Sequence, residues 1–345
     1  AGKPYKIIGN AQTVADFSDV NFPADVRRCE VCHDQSTTAV QKDAYLKPSR
    51  RACGSCHDDV NFATGENHAD LPQVSDNQCS TCHTVKGELE FDISIKGAHT
   101  IPTQSAELPG TTFEILGVAD GSPGKKPTVT FSVKDKSGKP ILPSEMTRLS
   151  LVLNGPTTDF TTQVSEAALT ASGNNGVYFW TFANALPATA KGSYAIGIEG
   201  YRNITLLKGT KKEQVARDYG ANKVFAFAVT DAKATPRRTV VSTAKCNACH
   251  GSLALHGGTR NQVEQCVLCH NPANTDGARR PANAGGAQTI DFRTMVHRIH
   301  SSGETGKTFL IGDRYEGTPN EEGKLYLQIV ASPWNNASTG TFRIR

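Results

Sequence analysis

Methionine is nearly absent: the 345 residues hold only Met146 and Met295, and tryptophan is as scarce, at Trp180 and Trp334. No stretch comes near the roughly 18 uninterrupted apolar residues that would mark a membrane-spanning helix. An excess of one charge is missing too. Lys+Arg (37) barely exceed Asp+Glu (33), the formal charge is +4, and no basic run stands out, which excludes a nucleic-acid footprint. A hydrophobic fraction of 37% excludes a disordered chain, and the length favours two or three domains over one. There is no stray cysteine, and neither Cys nor His occurs from residue 100 to residue 245.

What is present is concentrated at the two ends. All 10 cysteines lie in Cys-x-x-Cys-His runs: Cys29–His33, Cys53–His57, Cys79–His83, Cys246–His250 and Cys266–His270. Two thiols at this spacing can form thioethers to the two vinyl groups of one haem, and the adjacent His then becomes the proximal iron ligand. A zinc ribbon pairs two Cys-x-x-Cys runs in one tetrahedral site, so it wants an even number of runs and no obligatory His. A redox dithiol does not require that His either. Five runs, each followed by His, therefore specify a five-haem c-type cytochrome, its thioethers at Cys29, Cys32, Cys53, Cys56, Cys79, Cys82, Cys246, Cys249, Cys266 and Cys269. Such attachment happens outside the cytoplasm, which implies an exported, extracellular or cell-surface protein. The start at Ala1-Gly2-Lys3 has no basic-then-apolar leader and reads as a processed or internal end.

His33, His57, His83, His250 and His270 supply the proximal ligands, and five histidines remain: His68, His99, His256, His297 and His300. If these are the distal ligands, every iron is bis-His and the supply is used up. Met146 lies in the haem-free region, and Met295 is two residues before His297, a better ligand on the same element, so methionine ligation is disfavoured. Bis-His ligation leaves a lower potential than His/Met and no open position for a small substrate. His297 and His300, at i and i+3 of a helix expected over Ile290–His300, share one face and could reach two different haems.

The middle of the chain has a different texture. Thr111–Val118, Pro127–Asp135, Arg148–Asn154, Gly176–Phe182, Gly192–Glu199 and Lys223–Val229 read as strands separated by Gly/Pro/Asn turns, with Trp180 in the core. Six or seven such strands predict an all-β immunoglobulin-like sandwich without its disulfide. The haem segments should have little regular structure, with short helices such as Asn261–Cys266 joined by loops. The expected organisation is a three-haem segment (1–105), the β-sandwich (106–235), a two-haem segment (236–305) and a β-rich extension (306–345). That extension has strand candidates at Lys324–Val330 and Thr341–Arg345, either side of a turn at Asn335–Gly340. Each ferric haem with ionised propionates adds about −1, taking the charge from +4 to about −1, so the apoprotein pI of 8.5 says nothing about acidic partners. Asp58, Asp59 and Asp70 are candidates for calcium, but loop carboxylates are ordinarily just solvated and no site is claimed.

Cys246–Gly258, Cys266–Pro272, Met295–His300, Asp16–Pro23 and Cys53–His68 resemble the extracellular multihaem cytochromes of the OmcA/MtrC, metal-reducing type. The resemblance covers both haem clusters, about half the chain. It implies pentahaem modules alternating with β-domains, bis-His ligation and electron transfer at the cell surface. By motif, His68, His99, His256, His297 and His300 each match a distal position. One departure stands out: the family's module runs two haems, the His-x-x-His helix, then three haems, whereas here the three-haem part comes first. Gly2–Gly9 even echoes Gly306–Gly312, the segment just after His300.

Ligand arithmetic agrees with that shift. The N-terminal cluster has three motifs and two spare histidines; the C-terminal cluster has two motifs and three spares. At least one ligand must cross, either within a chain or from the next copy in a head-to-tail filament. The leading expectation is therefore an electron carrier, its partners being other cytochromes or copies of itself and extracellular acceptors such as metal oxides. The alternative is a fragment of a larger outer-membrane decahaem cytochrome, a terminal reductase of metal oxides, soluble metals or flavins. A structural or adhesive role for the β-domain is the third class, and nothing in residues 110–235 suggests a binding site for it.

Overall fold

The computed structural model describes residues 6–8, 12, 14–16, 22–33, 36–278 and 286–305. The proposed extension 306–345 with its strands, and most of the Gly2–Gly9 echo, lie outside them. The chain divides into two units, Ala1–Phe292 and Arg293–Arg345.

The first unit begins with a two-stranded antiparallel ribbon, β1 (Lys6–Ile8) and β2 (Val14–Asp16). Regular structure is then sparse up to residue 111. Among the described residues it consists of 3-10 turns at Cys29–Val31, Ala44–Leu46 and Pro102–Gln104 and three single-turn helices, α1 (Arg50–Cys53), α2 (Cys79–Cys82) and α3 (Ile95–Ala98). Pieces this short cannot hold themselves together by helix propensity, and local side-chain bonds cap two of them, α1 and α3. Ser49 Oγ accepts from Ala52 N at 3.2 Å to start α1, and Ser94 Oγ accepts from Gly97 N at 3.1 Å to start α3.

Nine strands follow: β3 (Thr112–Ala119), β4 (Thr128–Lys134), β5 (Arg148–Gly155), β6 (Thr162–Ala167), β7 (Ser172–Asn174), β8 (Val177–Thr181), β9 (Ser193–Leu206), β10 (Gln214–Tyr219) and β11 (Lys223–Ala228). They form two antiparallel sheets, ordered β3-β4-β8-β7 and β10-β9-β5-β6, with β11 also paired to β9. One apolar cluster draws on both sheets, with Phe113, Val129, Phe131 and Tyr178 from the first and Leu149, Leu151, Ile196 and Ile198 from the second. Alternation in Thr128-Val-Thr-Phe sends Val129 and Phe131 into that core.

In the second sheet alternation breaks down. β5 is buried from Leu149 to Gly155 and β9 from Ser193 to Gly200. The reason is a second cover. After β11 the chain forms α4 (Thr243–His250) and α5 (Val263–Cys269), and Val263, Val267 and Leu268 pack with Val152, Phe160 and Ala195 in a second cluster. A sheet covered on both faces has no polar face to show. Gly197 permits the close approach: a Cβ there would sit 2.0 Å from Gln265 Oε1 and 2.5 Å from Leu268 Cδ1. Asn154 Nδ2 donates to Leu268 O at 2.5 Å and fixes the end of α5 to the sheet.

Several expectations shift. β9 runs past Glu199 to Leu206, and β6, β7 and β10 are additional strands. The helix expected at Asn261–Cys266 lies at Val263–Cys269. Trp180 is half-buried at the edge of the core, its Nε1 donating to Glu166 Oε2 at 2.9 Å. The last helix, α6, spans Phe292–Thr305 rather than Ile290–His300 and forms the described part of the second unit. Among the described residues no helix is long and apolar enough to cross a membrane.

Candidate metal centres

Each Cys-x-x-Cys-His run sits on a tight turn or helix that brings its ends together. The backbone N–H of His33 donates to Cys29 O at 2.8 Å, that of His57 to Cys53 O at 2.9 Å, that of His83 to Cys79 O at 2.9 Å and that of His270 to Cys266 O at 2.9 Å. One turn thus presents two thiols and an imidazole together. All ten cysteines are free of disulfides. Among the described residues no three His, Cys, Asp or Glu side chains gather into a direct ion site, which a zinc ribbon would need and a calcium site at Asp58, Asp59 and Asp70 would also need.

The histidines form pairs instead. Ring centroids lie 6.2 Å apart for His57 and His99, 6.1 Å for His68 and His83, and 6.1 Å for His256 and His270. Each pair joins one motif histidine to one outside the motifs. Such a distance alone is within the ordinary range for aromatic neighbours. Two imidazoles bound through nitrogen to opposite sides of one metal ion, at about 2.0–2.1 Å each, also place their centroids about 6 Å apart. The one-in, one-out composition, repeated three times, fits the second origin better than packing.

The ring orientations fit as well. Nδ1 donates to a backbone carbonyl in eight histidines: His33 to Gln41 at 3.3 Å, His68 to Leu71 at 2.9 Å, His83 to Ile93 at 2.8 Å and His99 to Ile95 at 2.7 Å. The others are His250 to Pro23 at 3.1 Å, His270 to Ile290 at 3.0 Å, His297 to Arg293 at 2.7 Å and His300 to Val296 at 2.8 Å. A proton held on Nδ1 leaves the Nε2 lone pair for a metal and fixes the ring plane. Burial, with Arg260 and His270 adding to it against Glu199, lowers His256 to about 4. His270 is lowered for the same first reason, burial. Both rings are neutral at ordinary pH, as ligands must be.

His33 and His250 are placed differently. The ring beside His33 within its own unit is Tyr45, at 5.6 Å. His250 is tied to the N-terminal segment through Pro23, and Arg28 Nη1 lies where a Cβ on Gly251 would come within 2.4 Å. The two motif-bearing segments therefore meet within one chain. His297 and His300 lie one turn apart on α6, in the second unit.

Neighbouring motifs also sense each other. Burial first, then nearby charge including Cys56, raises Cys29; burial, then Asp76 and Cys53, raises Cys79. Burial pushes Cys266 up to about 11, with Cys246 among the contributors. Around the motifs, large apolar side chains face outward: Leu71 is 61% exposed, Leu89 61% and Ile93 60%. Leu71 and Ile93, whose carbonyls hold the rings of His68 and His83, are thus unburied apolar side chains beside one histidine pair, which suits a flat apolar group such as a porphyrin.

Sequence reasoning passed over one cluster. Glu199 is fully buried on β9 and binds Arg148 at 2.8 Å, Arg260 through two bonds at 2.8 and 3.0 Å, and Gln265 at 3.0 Å. Burial opposes its ionisation but is outweighed by the hydrogen bond and charge of Arg260, helped by Gln265 and Arg148, so its carboxyl lies below the usual value. The available signal was a single acidic residue in the otherwise uncharged run Ser193–Gly200.

Comparison with known proteins accords with this chemistry. Residues 238–325 match the family model described as outer membrane cytochrome MtrC/MtrF-like, domains II/IV. The chain is similar to the OmcA/MtrC multihaem cytochromes. The multiheme cytochrome MtrC of Shewanella baltica (strain OS185) is 26% identical over 224 residues, covering 58% of this chain and 31% of that protein. The crystal structure of MtrC from Shewanella baltica OS185 superposes with a TM-score of 0.61 at 19% identity, covering 84% of this chain and 53% of that one. The outer membrane decaheme cytochrome OmcA gives 0.57 at 18% identity, covering 86% and 46%. At these identities the superpositions establish the fold, a largely β-sheet chain with few short helices. The chain spans about a third of the curated relative's length and about half of the solved structures.

Proposed function

We propose that this chain is a five-haem, bis-histidine c-type cytochrome that passes electrons from haem to haem outside the cell. The observation that carries this reading is the set of three histidine pairs, each of one motif and one non-motif ring at 6.1–6.2 Å. On that basis His99 is the distal ligand opposite His57, His68 opposite His83, and His256 opposite His270. His297 and His300 are the remaining distal candidates. The haems supply one-electron chemistry, and the chain supplies ligation, spacing and burial.

Arg28, next to the run at Cys29, lies against Gly251 beside His250, which supports electron passage between the N-terminal and C-terminal clusters.

The domain limits proposed from sequence remain 1–105, 106–235, 236–305 and 306–345. The confinement of the two sheets to residues 112–228 supports the second. We read those sheets as an immunoglobulin-like sandwich. In order of appearance their strands take the A-B-E-D and G-F-C-C′ arrangement, with β10 and β11 sharing the last-strand position.

The meeting of Pro23 with His250 favours a distal ligand that crosses within one chain over one supplied by the next copy. Head-to-tail assembly is the second reading, favoured by the unequal histidine counts of the two clusters and by Tyr45, rather than a histidine, lying beside His33 within its unit. The chain's share of its relatives also suits one module of a larger surface cytochrome with terminal reductase activity toward metals or flavins.

Haem content and iron spin state test the proposal. Five haems per chain with an all-low-spin ferric spectrum are expected; fewer than five, or a high-spin signal in the intact protein, would overturn it. Light scattering over a dilution series separates the two readings. A species of one chain's mass with every iron low-spin supports ligation within the chain, and a spin change on dissociation supports ligation between copies.

A further inference from the structure

The buried charges around Glu199 lie on the sandwich, yet they converge on the last motif. Arg260 is four residues after His256, and Gln265 immediately precedes Cys266. Both bind Glu199 Oε2, which ties the loop carrying one ligand of a histidine pair and the helix carrying the other to a single carboxylate. The centre of the cluster is dry, with Glu199 0% and Gln265 1% exposed and Gln265 Oε1 without a hydrogen-bond partner among the described residues, while Arg148 reaches the rim. Charges in such a site act at a low effective dielectric and are poorly screened by salt. Backbone bonds of 2.9 and 3.2 Å between Leu255 and Arg260 close the loop that carries His256, so the guanidinium-bearing residue is held close to it.

A sandwich strand needs no fully buried carboxylate. Replacing a buried ion cluster by apolar residues is often neutral or stabilising, so stability alone is weak grounds for its presence. The arrangement carries two guanidinium groups against one carboxylate, a net charge of +1 beside the His256–His270 pair. We propose that the Glu199–Arg148–Arg260 cluster sets the reduction potential of the iron held between His256 and His270. A net positive charge favours the reduced state, which carries one more electron, so the cluster raises that haem's potential relative to an uncharged mount. This inference rests on the five-haem reading.

The sign of the effect distinguishes it from a structural role. In the haem-loaded full chain, Arg148→Gln takes the cluster to zero and is expected to lower the potential of one haem out of five. Glu199→Gln takes it to +2 and is expected to raise the same one. Arg148→Lys retains the charge and should leave it in place. Each charge change should alter that haem's ratio of reduced to oxidised form about tenfold at fixed applied potential, about 59 mV for one electron.

A redox titration followed by electron paramagnetic resonance, resolved signal by signal, measures this. Shifts of opposite sign in one signal support the inference, whereas unmoved signals, or shifts of one sign in both variants, overturn it. Arg148 is 40% exposed at the rim, so Arg148→Gln against Arg148→Lys decides the matter should Glu199→Gln fail to fold. Haem content is measured alongside: a wild-type chain lacking haem at Cys266 and Cys269 would overturn the five-haem reading, and this inference with it.

Discussion

His250 Nδ1 donates to the carbonyl oxygen of Pro23 across 3.1 Å, joining positions 227 residues apart. A motif histidine of the C-terminal cluster is thereby oriented by backbone of the N-terminal one, and Arg28 packs over Gly251 beside it. Gly251 has φ +66°, a conformation that disfavours a side chain. Gly251→Ala is expected to cost about 1–3 kcal/mol from the backbone alone, with a further loss as the new methyl displaces Arg28. A lowered denaturant midpoint checks this; an unchanged midpoint would show that the contact is not held.

Single distal-ligand variants should each open one iron. His99→Ala, His68→Ala and His256→Ala are each expected to convert one of five ferric irons from low to high spin and leave four unchanged. The double variant His68→Ala/His99→Ala should convert two. Integrated paramagnetic resonance intensities give the count, and a variant that converts none removes that histidine from the set.

His297→Ala and His300→Ala should likewise convert one iron each, because α6 places the two rings one turn apart for different partners. Both variants converting the same iron would show that one of the two histidines serves packing instead.

The seating of α5 on the sheet should be sensitive to small changes. Leu268 is fully buried, and Leu268→Ala is expected to destabilise the first unit by about 2–5 kcal/mol. Gly197→Ala forces a methyl against Gln265 and Leu268 and is expected to cost about 1–3 kcal/mol by overpacking. Equilibrium unfolding of the haem-loaded chain measures both, and a neutral result for Leu268→Ala would mean α5 is not packed as described.

Acid should loosen the same junction. The carboxyl of Glu199 lies below its ordinary value of 4.5, with its charge stabilised mainly by Arg260. A depressed carboxyl contributes stability that is complete above the unfolded-state value and is lost as pH falls through the folded-state value. Stability is therefore expected to hold down to about pH 5 and then fall, and Glu199→Gln should flatten that fall. An equally steep acid limb in the variant would assign it to other carboxylates.

The cofactor chemistry was open to reading because covalent attachment dictates residue types at fixed spacing, whatever the surrounding fold. Apolar alternation likewise marked β3, β4 and β8. The strands that escaped notice are polar. β10, Gln214–Tyr219, reads as loop because Arg217 and Asp218 interrupt it, yet Asp218 lies across from Arg202 of β9 and binds it at 3.0 Å. Histidine pairing is a tertiary relation with no local signature. For Glu199, the oddity of one carboxylate among buried neighbours was visible, but its partners, Arg148 on one side and Arg260 and Gln265 on the other, come from two distant stretches of chain.

The depth at which Cys266 lies has a consequence for how the protein is made. Only 8% of it is exposed, within α5, and burial keeps its thiol protonated. A protonated, enclosed sulfur is a poor reactant, because the thiolate is the nucleophile. On the five-haem reading, the bond at Cys266 must form while residues 263–269 are still unpacked. Maturation then has a direction: the cofactor goes on first, and the sandwich closes against a segment that already carries it.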